Sequence, residues 1–317
     1  MRIDRRATAD WLLAHDRYAI VTHRRPDGDT VGCAAALCLG LRQLGKQAVV
    51  LKNPQFTPLY RPYLRDTIGE MPADAAVISV DIATESLLPL VELPLAGKTQ
   101  LSIDHHPSYS DFAPLALVEA ESAACGETIY ELLRLLGVTI DTAIGEALYV
   151  AISTDTGCFK YSNTSAHTLR VAADLKELGV DLYRINKTLF ATKTLTRMRL
   201  EARLTESLEF YAGGLVGLCT LPKALMEELH VSEDDADGVA GFARNVQGVQ
   251  IGVMIREVEH GDGKISLRTG GDYDASAICG QLGGGGHHAA AGATVPGGIE
   301  AARKAILQAL LAAGVPV

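Results

Sequence analysis

Residues 18 to 50 constrain the fold more than any other stretch. An apolar segment, "YAIVT", is followed by the breakers of "HRRPDGD". A helical run, "TVGCAAALCLGLRQLG", then stops at a glycine before a second apolar segment, "QAVVL". Extended, helical and extended runs in so short a span predict a strand–helix–strand unit. Two further apolar segments, "AAVISV" (75–80) and "TQLSI" (99–103), are each followed by an acidic residue. Residues 122–137, 142–153 and 165–190 read as helices, the last broken near Gly179. Strands alternating with helices predict an α/β fold, with a mostly parallel sheet carrying helices on both faces.

At 317 residues the chain exceeds the usual single-domain range, so two domains are expected. Its character shifts at "ATKTLTRMRLEARLTES", which is polar and helical. The expected division is a first domain over 1–190, a helical connector over 191–207 and a smaller α/β domain over 208–317. In that second domain "LEFYAGGLVGLCTL" predicts a hairpin turning at Gly213-Gly214, and "VQIGVMIREVEHGDGKISLRT" a second turning at "HGDGK". A closing helix is expected over 298–313, and the functional site is expected in the cleft between the domains.

A net charge of −9 disfavours a long duplex ligand, because neutralising phosphates normally requires a basic face. A nucleotide substrate would therefore be short. The six cysteines are scattered with no Cys-x-x-Cys pair, so neither a disulfide framework nor a thiolate zinc site is expected. No apolar run reaches the length that spans a bilayer, and the N-terminal stretch has no signal-peptide core, so a cytoplasmic protein is expected. No stretch predicts a protein partner, and the oligomeric state stays open, a homodimer included.

Several short stretches could carry chemistry. In "THRRPDGDTVG", His23, Asp27 and Asp29 lie within seven residues directly after a predicted strand. Loops at the carboxyl ends of strands line the ligand crevice of open α/β sheets. Carboxylates with an imidazole suit a divalent cation, and the competing reading is a turn whose Asx residue caps the next helix. Asp81 follows "AAVISV", where it could equally cap a helix starting near Glu85. Asp104-His105-His106 follows the next apolar segment, and Pro107 lets both imidazoles leave strand alternation. In "ISTDTGCFKYSNT", Asp155 is placed in a loop where Thr154 and Thr156 could hold its carboxylate, with Ser162 or Thr164 as a competing cap. His23, Asp27, Asp29, Asp81, His105 and Asp155 are too many for one tetrahedral ion. They suit two ions bridged by a carboxylate, which clamp a phosphate and activate water. Further along, Arg268 and "GGGGHHAAAG", with Gly284, Gly285, Gly286 and His287, could form an anion-binding concavity, against the plainer reading of a surface loop.

These motifs together resemble the DHH phosphoesterases, over nearly the whole chain. "HRRPDGDTVG", Asp81, Asp104-His105-His106 and "TDTGCFKYSNT" look like the family's four motifs, and "GGGGHHAAAG" is similar to the signature of its associated C-terminal domain. The resemblance implies that His23 and Asp27 hold one manganese ion, and Asp29, His105 and Asp155 the other, with Asp81 bridging. Magnesium or cobalt are the alternative ions. It implies that Asp104 orients an imidazole or bonds backbone, and that His106 acts on the scissile phosphate and leaving oxygen without ligating metal. Arg268, His287 and the glycines would close over the substrate. Cys33 departs from the family, where Ser or Ala is common, and is expected to touch no ligand.

The compact form is most similar to the nanoRNases and 3′-phosphoadenosine 5′-phosphate phosphatases. The implied function is hydrolysis of short oligonucleotides or adenosine bisphosphate. Linear dinucleotide phosphodiesterases and RecJ-type 5′ exonucleases are alternatives, as is a silent nucleotide-binding module of a different class.

Overall fold

The computed structural model describes residues 1–89 and 95–317. The chain divides into two units, Met1–Thr192 and Lys193–Val317.

The first unit begins with helix α1 (Arg5–Ala14) and strand β1 (Arg17–Val21). Helix α2 (Gly28–Gln43), strand β2 (Gln47–Leu51), the short helix α3 (Arg61–Leu64) and strand β3 (Ile68–Gly69) follow. Strands β4 (Ala76–Val80), β5 (Leu101–Asp104) and β6 (Leu115–Val118) complete the sheet. Helices α4 (Cys125–Leu135), α5 (Thr142–Asp155), α6 (Ala166–Glu177) and α7 (Leu182–Asn186) complete the unit. All described pairings in this sheet are parallel, in the order β3-β2-β1-β4-β5-β6. The chain leaves β1 toward β2 on one side and returns to β4 on the other. That reversal is the topological switch point where α/β sheets open a crevice beyond their strand ends.

Alternation along the strands sends side chains to two separate apolar layers. Tyr18, Ile20, Ile78 and Ile103 join the main core with α1, α2, α4, α5 and α6. Ala19, Val21 and Val77 face the other way and are covered by Ile82, Leu88 and Leu95 from the β4–β5 connection. Among the described residues the long helices thus gather on one face. The other is closed by the β4–β5 connection, whose described residues include one 3₁₀ turn, Glu85–Leu87.

Close helix packing explains Gly32. A Cβ there would lie 2.2 Å from the Ala147 carbonyl oxygen, so only glycine lets α2 approach α5. The helix predicted over 165–190 is broken at Gly179, whose φ is +91°, and is capped at Ser165 rather than Ser162 or Thr164.

The second unit opens with helix α8 (Leu195–Glu206), which lies within the stretch expected to connect the domains. It packs Leu200 and Leu204 against Cys219, Leu221 and Met254 of that unit's own sheet. Strands β7 (Glu209–Tyr211) and β8 (Val216–Leu221) form the first hairpin. Helices α9 (Lys223–Leu229) and α10 (Glu233–Gly238) precede β9 (Ile251–Glu257) and β10 (Gly263–Thr269), which form the second. Helix α11 (Ala275–Gly280), strands β11 (Gly285–His287) and β12 (Ala290–Val295), and helix α12 (Gly298–Ala312) close the chain. The mixed sheet runs β11-β12-β10-β9-β8-β7.

Candidate metal centre

Each of the six sequence candidates in the first unit lies at, or one helix away from, the switch point, and the structure brings them together. His23 follows β1, Asp27 and Asp29 begin α2, Asp81 directly follows β4, His105 follows β5, and Asp155 is the last residue of α5. Three groups of ligand atoms close enough to hold an ion result: His23, Asp27 and Asp81; Asp29, His105 and Asp155; and Asp81, His105 and His106.

The two histidines of the first two groups are fixed in one tautomer. His23 Nδ1 lies 2.8 Å from the Arg24 carbonyl and His105 Nδ1 lies 3.0 Å from the Ser122 carbonyl. A carbonyl only accepts, so each Nδ1 donates and each Nε2 is left to face the carboxylates. His23 Nε2 is 3.5 Å from Asp27 Oδ1 and 3.9 Å from Asp81 Oδ2. His105 Nε2 is 3.2 Å from Asp155 Oδ2, 3.5 Å from Asp81 Oδ1 and 3.7 Å from Asp29 Oδ2. Asp81 therefore turns one oxygen toward each imidazole.

Asp81 does not cap a helix. The 3₁₀ turn after it has Thr84 at its N-cap position, with no side-chain bond. Its own backbone is left-handed, with φ +59°, a conformation costly for a non-glycine residue and concentrated at functional sites. Its Oδ1 is buried with no hydrogen-bond partner. Asp27 does cap: its Oδ1 accepts from the amides of Asp29 and Thr30 at 3.1 and 3.2 Å, so the capping reading of this turn and the cluster coexist in one residue.

Without cations these carboxylates oppose one another. Burial, and then the charges of neighbouring aspartates, push Asp29 and Asp81 well above the usual carboxylate range. Burial raises Asp155 to about 6, with His105 working against the shift. Asp27 goes the other way, because His23 and the capping amides outweigh its desolvation. Buried charge with an orphaned acceptor is unfavourable unless a cation pairs with it, and oxygen with imidazole is a donor set suited to a divalent ion. The residues present fit such ions.

His106 is held differently. Its Nδ1 lies 2.8 Å from Asp104 Oδ1, closer than its 3.6 Å to Asp81 Oδ1. Asp104 is fully buried, and the same oxygen accepts the His105 amide at 2.9 Å. Both tasks expected of Asp104, orienting an imidazole and bonding backbone, fall to one carboxylate.

Similarity to known proteins identifies the family. Residues 17–152 match the DHH family, N-terminal domain, and residues 221–313 the DHHA1 domain. A bifunctional oligoribonuclease and PAP phosphatase NrnA of Thermus thermophilus is 34% identical, over 92% of this chain and 88% of that one. The protein of the same name in Bacillus subtilis is 26% identical, over 92% of this chain and 93% of that one. The chain belongs to the DHH family. An exopolyphosphatase-related protein from Bacteroides fragilis shares the fold, with a TM-score of 0.88, 23% identity, and coverage of 97% of this chain and 95% of that one.

Several details of this DHH-family site correct the sequence expectations. Thr154 and Thr156 do not hold Asp155. Their hydroxyls return to the carbonyls of Val150 and Ile152, one helical turn back, because Asp155 is still in the helix. Cys33 does touch a ligand candidate: its Sγ donates to Asp29 Oδ1 at 3.1 Å. Asn163 and Asn53 support the site without being among the sequence candidates. Asn163 Nδ2 donates to the backbone oxygens of Ala123 and Asp155, joining the loop beside His105 to the end of α5. Asn53 Nδ2 donates to the His23 carbonyl. An Asn within a Ser/Asn/Thr run is the only sequence signal for the first, and it reads equally as a turn.

In the second unit, the glycine run passes from a turn at Gly283 into the exposed edge strand β11 at Gly285 and Gly286. A Cβ would meet the Gly292 carbonyl at 2.1 Å on Gly284 and the Ala290 carbonyl at 2.5 Å on Gly286, so the chain approaches β12 too closely for a side chain at these two positions, while Gly285 faces open space. Arg268, Ala290 and His287 fall in one cross-strand row over β10, β12 and β11. Residues in register project to the same sheet face, so the two basic side chains flank a small alanine there.

Proposed function

We propose that this chain is a cytoplasmic, divalent-metal-dependent phosphoesterase that hydrolyses short oligonucleotides and 3′-phosphoadenosine 5′-phosphate, with manganese as the preferred ion. The observation that carries the reading is Asp81, a buried carboxylate in a left-handed backbone, with one oxygen toward each imidazole cluster and no donor on Oδ1. His23, Asp27 and Asp81 would hold one ion, and Asp81, Asp29, His105 and Asp155 the second. Bound there, the ions would neutralise a phosphate and lower the pKa of water.

The chain's own contribution beyond the ligands centres on His106. Asp104 accepts from Nδ1, so the proton chemistry of this ring belongs to Nε2. In the imidazolium form Nε2 carries a proton that the leaving oxygen can take, and Asp104 stabilises the positive ring before transfer. Arg268 and His287, on one sheet face, and the backbone of Gly284, Gly285 and Gly286 would bind substrate phosphate. The net charge of −9 and the names of the bacterial relatives both favour a short substrate over a long strand.

The deciding experiment is a substrate panel of oligonucleotides from two to twenty residues, RNA and DNA, beside adenosine bisphosphate, each with Mn²⁺, Mg²⁺ or Co²⁺. Turnover falling steeply with length is expected. A rate that holds or rises with length would replace this reading with a processive exonuclease, and intact ligands throughout would replace it with a binding module.

A further inference from the structure

Asp29 is fully buried and accepts from three donors. Two are the first amides of α4: Cys125 N reaches Oδ2 at 2.7 Å and Gly126 N reaches Oδ1 at 3.0 Å. The third is the Cys33 thiol, one turn along α2, which reaches Oδ1 at 3.1 Å. The donors are thus unevenly shared. Oδ1 has two, while Oδ2 has one and lies 3.7 Å from His105 Nε2. An acceptor oxygen with lone-pair capacity left over is the one that can turn to a cation.

We infer that Cys33 is a positioning residue for the second ion, its thiol holding Asp29 so that Oδ2 faces His105 and Asp155. The inference rests on the proposal that Asp29 is a ligand. Cys33 is itself held in place, because the Cys125 side chain lies within hydrogen-bonding reach of it. Cys125 Sγ donates to the Ile103 carbonyl at 3.4 Å, so toward Cys33 it offers only a weak sulfur acceptor, against which the Asp29 carboxylate is the stronger one for the Cys33 proton. Both thiols are buried, and the pair ties α2, α4 and the end of β5 to one carboxylate oxygen.

The test is calorimetric titration of MnCl₂ into metal-depleted full-length protein, comparing wild type with Cys33→Ala, Cys33→Ser and Asp29→Asn. Outer-sphere partners of ligands typically govern 10–100-fold in metal affinity, and a thiol is a weak donor. Cys33→Ala is therefore expected to weaken one of the two binding events about tenfold and to leave the other unchanged. Cys33→Ser keeps a hydroxyl donor and should stay within about threefold of wild type. Thermal melts of the metal-free variants show that each is folded, and Cys33→Val, which lacks the donor, serves if alanine does not fold. Wild-type affinity at both sites in Cys33→Ala, with one site lost in Asp29→Asn, would overturn the positioning role alone. Serine as weak as alanine would overturn it too, by showing that the donor is irrelevant. Two intact sites in Asp29→Asn would instead remove Asp29 as a ligand, and the inference with it.

Discussion

At the scale of single residues, adjacent side chains with the same chemistry have been given different surroundings. His105 gives Nδ1 to a backbone carbonyl and Nε2 to three carboxylates, whereas His106 gives Nδ1 to Asp104. His105→Ala should therefore lose one bound Mn²⁺, while His106→Ala should keep both and lose most turnover, about 10²–10⁴-fold for a missing general acid. Metal analysis of the purified variants separates the two, and equal metal loss would void the distinction. The carboxylates set a pH dependence of stability in the metal-free protein. Asp155 is raised in the folded chain to about 6, and Asp29 and Asp81 are raised well above their ordinary value. Groups raised in this way stabilise the fold while protonated, below the unfolded value, and lose that contribution as pH rises through the folded one. With EDTA present, the melting temperature should fall as pH is raised through about 6. With saturating Mn²⁺ it should stay nearly level. Scanning fluorimetry across pH 4.5–8 checks both arms, and a metal-free protein that gains stability over this interval would contradict the assignment.

At the scale of elements, the site depends on how closely helices and loops meet. The first turn of α2 is pinned to the end of β4, since Thr30 Oγ1 donates to the Val80 carbonyl at 2.9 Å, directly before Asp81. Further along, Gly32 sets the approach of α2 to α5, the helix that ends in Asp155. Gly32→Ala would place a methyl against a backbone oxygen that has no rotamer to escape into. A loss at the upper end of about 1–3 kcal/mol is expected from overpacking, measurable by urea unfolding. Metal affinity should fall with it, because moving α5 moves Asp155 away from His105. Retained stability would mean that the two helices separate without cost.

At the scale of the whole chain, the first unit has its own apolar core and carries all six ligand candidates. A fragment of residues 1–192 should fold and bind Mn²⁺, yet lose affinity for the oligonucleotide, because it lacks the groups proposed to bind substrate phosphate, Arg268, His287 and the glycine run. Circular dichroism and metal titration of that fragment test the first two points, and fluorescence anisotropy with a labelled dinucleotide the third. Much of this organisation was legible in the residues. The parallel sheet follows from apolar segments alternating with helices, and the cluster of candidate ligands from His or Asp placed just beyond three strands. Strand order was not legible, because periodicity reports what a segment buries and not its neighbour. The supporting bonds were illegible for a related reason. Asn163 reaches the Ala123 carbonyl, 40 residues away, only through tertiary packing, while Cys33 lies one helical turn from Asp29 and its sequence spacing does not say which group its thiol meets.

The three-donor cradle of Asp29 has an evolutionary consequence. Asp29 supplies the acceptors that α4 lacks at its own N-cap, where Ala124 makes no side-chain bond, so the residue serves architecture as well as chemistry. Asp81 gives the fold no hydrogen bond through Oδ1 and occupies a strained backbone. A descendant of this chain released from selection for turnover should therefore discard Asp81 early and retain Asp29 long afterwards. Persistence of the first aspartate alone would mark a protein that has kept its shape after losing its trade.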